Sequence, residues 1–210
     1  MEEVIEIPPN RDNKKKQTKV AIILIITLLL IIGGVVGWIK YKQVQQEKKK
    51  EEYANLIAET SVEMYFEFLL SSLIVSSYSD VWRNAIDNRN DFNEKLRDFR
   101  DDISKDGLLE DREKGRDKIR ENMKLLQDTP KEYLDSYIVL KQLYGVYTKM
   151  VDQSLSPTGS LIEFNRKTND LASQFEQQQE ELLITIPADI KKLREKYEED
   201  KKKEEKEEKL

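Results

Sequence analysis

Val20 to Ile39 reads VAIILIITLLLIIGGVVGWI, twenty residues without a charge, with Lys19 and Lys40 at its two ends. At about 1.5 Å per residue such a helix is about 30 Å long, the thickness of the hydrocarbon core of a bilayer. The sequence therefore predicts a single transmembrane helix held in membrane lipid through residues 20–39, with Trp38 and Tyr41 where interfacial aromatics gather. A cleaved signal peptide competes with this reading, because Val35 and Gly37 are small enough to precede a cleavage point. The apolar region of a signal peptide is normally only about 7–15 residues long, so a retained anchor is preferred. Residues 1–19 and the first twenty after the span carry five basic side chains each. Four lysines fall within the six residues before the span and two within the six after it, which favours a cytoplasmic N-terminus and an extracytoplasmic C-terminal part.

The second constraint is a lack of punctuation. Between Gly37 and Gly107 there is no Gly and no Pro, so nothing in the sequence interrupts a helix over nearly 70 residues. Ile57, Ser61, Met64, Phe68, Ser71, Val75, Tyr78 and Trp82 recur at spacings of four and three, a heptad seam of the coiled-coil kind. A second row, Val62, Phe66, Leu69 and Leu73, runs beside it, so this helix is expected to be covered by several neighbours. The polar stretch Asp87 to Asp91 interrupts the pattern and leaves open whether the chain bends there. Asp91 and Glu94 are placed to cap a new helix carrying Phe92, Leu96, Phe99 and Ile103.

Asp106-Gly107 marks a stop, and a weaker helix follows from Leu108 to about Gln127, with Leu108, Arg112, Ile119, Met123 and Leu126 in register. Gly115, near its middle, should cost about 1 kcal/mol relative to Ala. Thr129-Pro130-Lys131-Glu132 and Ser160 with Glu163 both read as capping boxes. The helices they open have seams at Tyr133, Tyr137, Leu140, Tyr144, Tyr147 and Val151, and at Leu161, Phe164, Thr168, Leu171, Phe175, Gln178 and Leu182. Pro187 ends or kinks the last of these. Short loops force neighbouring helices to run antiparallel. The expected fold is all-α: one N-terminal transmembrane helix, then an up-and-down bundle of three or four helices and a charged, helical or disordered tail. In residue terms this means a polar tail over 1–19, the span over 20–39, a juxtamembrane connector over 40–54, the bundle over 55–190 and the tail over 191–210, which holds 17 charged residues in 20.

Composition removes much ordinary chemistry. With no Cys and no His there is no thiol nucleophile, no imidazole base, no disulfide and no zinc site of the usual ligands. Asp87 to Glu94 imitates a calcium loop, but Arg89 stands at the third ligand position and the turn glycine is missing. No Gly-rich phosphate loop or nucleophile elbow is found, and no catalytic residue, cofactor or metal is expected. The part after the span carries 31 basic and 37 acidic residues without a basic patch, which argues against nucleic acid. Two constellations stand out. Tyr133, Tyr137, Tyr144 and Tyr147 form a stripe that could contact a glycan or peptide or could fill the bundle seam. Gly33 and Gly37 form a GxxxG pair suited to a homodimer through the span.

Val81-Trp82-Arg83-Asn84-Ala85-Ile86 followed by Asp91-Phe92-Asn93, with Ser156-Pro157-Thr158-Gly159-Ser160-Leu161 after a Tyr-rich helix, resembles a pattern in uncharacterised anchored or secreted helical proteins of low-GC Gram-positive bacteria. The resemblance covers about half the chain and implies no activity and no functional residue. The expected function is a non-enzymatic surface module that binds, spaces or blocks an unidentified protein partner, as in exclusion or immunity. The alternative is a structural or assembly subunit of a cell-envelope complex.

Overall fold

The computed structural model describes the backbone of residues 11–207 and the side-chain surroundings of residues 34, 35, 37–203 and 206. Every regular element among them is helical: α1 (Arg11–Asp87), α2 (Phe92–Lys105), α3 (Leu108–Leu125), a 3-10 turn (Lys131–Tyr133), α4 (Leu134–Leu155), α5 (Leu161–Thr185) and α6 (Ala188–Glu207). The chain divides into two compact units, residues 1–49 and 50–210. No helix among the described residues is long and apolar enough to cross a membrane. Most of the run Val20–Ile39, namely residues 20–33 and 36, lies outside those whose surroundings are described.

In the second unit, the seam read from the sequence becomes the core. Ile57, Met64, Phe68, Val75, Tyr78 and Trp82 of α1 are all buried. They meet α2 through Tyr78 edge-on to Phe99, and α5 through Phe68 stacked on Phe175 at 3.7 Å between ring centroids. α3 runs antiparallel to α1, as shown by Tyr53 Oη donating to the Leu126 carbonyl at one end and Arg112 donating to Glu67 at the other. α5 is also antiparallel to α1, since Trp82 packs near Phe164 while Phe68 packs on Phe175. The core extends through Leu140, Leu143, Tyr147 and Val151 of α4 and Leu171 and Leu182 of α5.

The bend after Asp87 is a built helix stop. Arg89 N–H bonds to the Ile86 carbonyl and Asn90 N–H to the Ala85 carbonyl, the paired bonds that close a helix around a left-handed residue. That residue is Arg89, with φ of 55°, where glycine would be the unstrained choice. Asp91 then caps α2 by accepting from the amides of Asn93 and Glu94. Ser160 and Glu163 close the capping box of α5 in both directions.

Several expectations are corrected. Thr129 does not cap α4. Its hydroxyl donates to the Leu126 carbonyl and lies 2.8 Å from Tyr53 Oη, Glu132 is drawn out to Lys50 at 2.6 Å, and a 3-10 turn precedes the α-helix. Leu109 rather than Leu108 enters the core, and Gln179 rather than Gln178 takes the seam position in α5, facing Arg194. The second row of α1 is covered only in part. Val62 is buried, but Leu69 and Leu73 stay 41% and 64% exposed because no described helix lies over them. Packing also runs into the stretch read as a charged tail. Arg194 is buried, Leu193 and Tyr197 pack partly against the core, and Arg194 donates to Glu198 and to Ser61 of α1.

Candidate functional site

The tyrosine stripe of α4 does not make a common exposed surface. Tyr147 is fully buried and Tyr133 nearly so, while Tyr137 and Tyr144 are half-buried against the core. Tyr133 stacks on Tyr53 at 5.7 Å and donates its hydroxyl to Asp189 at 2.8 Å, which ties α4 to the start of α6. Burial pushes the phenols of Tyr133 and Tyr147 well above the ordinary tyrosine range, helped by Asp189 in the first case and by Glu67 in the second. Of the glycine pair, Gly37 has nothing within 4 Å of where a Cβ would stand, and the surroundings of Gly33 lie outside the described residues.

A charged seam joins α1 to α3. Lys118 bridges Glu59 and Glu63, and Arg112 donates to Glu67 at 2.7 Å with only 9% and 20% of the two side chains exposed. Burial opposes the charge on Lys118, but the pull of Glu63 and Glu59 outweighs it and raises its pKa. Burial raises the pKa of Glu67, and Arg112 only partly offsets this. The seam also explains Gly115. A Cβ there would stand 2.5 Å from the Glu67 carboxylate, so glycine makes room for the buried pair. Arg112 and Glu67 pair inward across the interface, whereas Lys118 reaches Glu59 and Glu63 from the rim with 57% of its side chain exposed, so the seam ties α1 to α3 from core to surface. Among the described residues no group of acidic side chains could hold a metal ion.

Among the exposed apolar positions of the unit, which also include Leu134 and Ile138 of α4, three cluster on one face of α1 at its border with α5. Leu69, Leu70 and Leu73 are exposed within two turns, with Phe66 half-buried beside them. Isolated exposed leucines need no explanation, but three together on one helix face make an apolar patch. Ser72 and Ser76 follow Leu69 and Leu73 at i+3 and so adjoin them on the surface. They line a cavity of about 250 Å³ between α1 and α5, bordered by Ser79, Arg83, Asn165 and Asn169 and floored by Met150. The Thr168 hydroxyl at its edge donates back to the Phe164 carbonyl. An apolar ridge beside a groove of hydroxyls and amides has no nucleophile, base or oxyanion donor aligned on one point. It does have the mixture of apolar anchor and polar rim that suits contact with another macromolecule. The helical period placed Leu69 and Leu73 on one face of α1, but the sequence gives no sign that the face is left open.

No family model, no curated protein and no solved structure matches the chain.

Proposed function

We propose that this chain is a single-pass membrane protein whose Val20–Ile39 helix anchors an extracytoplasmic up-and-down bundle, and that the bundle binds, spaces or blocks a protein partner at the cell surface without catalysis. The legs of the bundle are α1, the broken leg α2–α3, α4 and α5, with α6 laid against them. The observation that carries the binding reading is the open face of α1, where Leu69, Leu70 and Leu73 remain exposed beside the groove lined by Ser72 and Ser76. The anchor rests on twenty uncharged residues between Lys19 and Lys40. The resemblance to anchored or secreted helical proteins of low-GC Gram-positive bacteria agrees with an anchored location and carries no activity; exclusion or immunity is the kind of blocking role we propose.

A photo-crosslinking residue in place of Leu73, in intact cells, tests the reading. A protein adduct that disappears when Leu69→Glu is added, with the helical circular dichroism unchanged, is the expected result. Adducts confined to one stable envelope complex would transfer the role to an assembly subunit. Absence of any adduct at Leu73 and at Leu70 would end the binding reading.

A further inference from the structure

The helical stretch just beyond the uncharged run has two chemically different sides. At about 100° per residue, Trp38, Tyr41, Lys42, Gln45, Lys48 and Lys49 fall within an arc of about 120°. Glu47, the only acid between Trp38 and Lys50, falls on the opposite side together with Lys40, and Glu52, one turn beyond Lys48, is the first acid on the arc. All six side chains of the arc are exposed, Trp38 and Tyr41 by 60% and 63%. Lys42 Nζ lies 4.2 Å from the centre of the Trp38 ring, so an ammonium is held beside an indole on that face. Lys50, off the arc, is engaged by Glu132.

We propose that this face binds the phosphate headgroups of anionic lipid where the chain leaves the bilayer, an inference that rests on the membrane reading above. Trp and Tyr sit at headgroup depth because their rings are amphipathic, and lysines next to them gain from the negative surface potential. A lysine ring spread evenly around the helix would only mark the end of a span. Both aromatics and three of the five lysines from Trp38 to Lys50 lie on one side, with Lys40 beside Glu47 on the other, and this gives the helix a preferred side to turn toward the lipid surface. The occupant is set by charge: net positive and aromatic, the face fits headgroups whose phosphate is left uncompensated, as in phosphatidylglycerol, rather than zwitterionic ones whose phosphate is balanced by a cation.

The absence of native cysteine makes the test clean. A nitroxide is placed on the full-length chain at Gln45→Cys, on the face, and in a second protein at Gln43→Cys, off it. Each is reconstituted in vesicles of phosphatidylcholine alone or with phosphatidylglycerol added. With phosphatidylglycerol the label at 45 should become several-fold less accessible to an aqueous relaxation agent than the label at 43. The difference should vanish in phosphatidylcholine, in the Lys42→Glu/Lys49→Glu variant, and at 1 M salt, where the screening length falls to about 3 Å. Equal accessibility at 45 and 43 in both vesicles, from a chain that resists alkaline extraction, would overturn the lipid face and leave the anchor standing. A difference of the same size in both vesicles would show contact with something other than anionic headgroups and would also overturn it. Release of the chain by alkaline extraction would overturn the anchor and the lipid face together.

Discussion

Gly115→Ala should destabilise the bundle, although the same change in a solvent-facing helix would stabilise it. Alanine in place of glycine within a helix is worth about 1 kcal/mol in favour of folding. At this position the new methyl would stand 2.5 Å from Cδ and Oε2 of Glu67 and 2.8 Å from Oε1. A free glutamate would swing away at little cost. Glu67 is pinned by Arg112 at 2.7 Å, and both side chains are largely buried. Moving the carboxylate therefore sacrifices a hydrogen bond between charged groups, worth about 1.5–3 kcal/mol with a buried guanidinium left behind. The balance is a net loss of about 0.5–2 kcal/mol, or a fall in Tm of roughly 1–8 °C for a unit of this size. The informative step is to repeat the change in a Glu67→Ala background. With no carboxylate in the way, Gly115→Ala should there stabilise by about 1 kcal/mol, so its effect changes sign. Urea unfolding of the four proteins of the cycle, made as residues 50–210, measures both values. A stabilising Gly115→Ala in the wild-type background, or the same sign in both, would refute the account of the seam.

Arg89→Gly should stabilise the same unit by about 1 kcal/mol, read as a higher urea midpoint, because it relieves a left-handed residue at the α1 stop. Burial raises the Glu67 pKa above its unfolded value, so protonation favours the fold. This contribution is complete below the unfolded pKa and is lost as pH rises from about 4.5 through the folded value, and Glu67→Gln should flatten that part of the stability profile. The buried phenols of Tyr53, Tyr78, Tyr133 and Tyr147 have raised pKa values, so their contribution holds below about pH 10 and is lost above it. The tyrosinate absorbance of these four phenols should then rise together with loss of helix rather than before it. Arg194→Ala should free α6, because it removes the side chain buried against α1 together with its bond to Ser61 and leaves Glu198 without its partner. Hydrogen exchange should speed up at residues 188–198 while α4 and α5 keep their protection.

Local chemistry made parts of this fold legible. Asp91 and the Ser160–Glu163 box cap the helices they were read as opening, since a cap depends on residues three apart and on nothing distant. The seam of α1 was legible for the same reason, as a period that any covering neighbour would bury. Thr129 looked like an equally good cap, but Tyr53, far off in sequence, competes for its hydroxyl. Gly115 reads as a helix defect until Glu67 is found against it. Arg194 sits in a stretch so rich in charge that nothing local separates a buried guanidinium from its solvated neighbours. The open face of α1 was hidden for the converse reason: hydrophobic periodicity shows which residues share a face, and whether that face is covered depends on helices elsewhere in the chain. The tyrosines of α4 were ambiguous because a phenol suits a binding surface and a bundle seam equally, and the structure puts Tyr133 and Tyr147 inside.

The proposed anchor at Val20–Ile39, with the bundle outside the cell, is tested most directly by labelling from either side of the membrane. Single cysteines at Asn10, before the uncharged run, and at Ser173, exposed on α5, can be labelled in intact cells with a membrane-impermeant maleimide, because the chain has no cysteine of its own. The account predicts that Ser173→Cys reacts in intact cells and that Asn10→Cys reacts only after the membrane is opened. The reverse pattern, or protection of both sites until lysis, would contradict it.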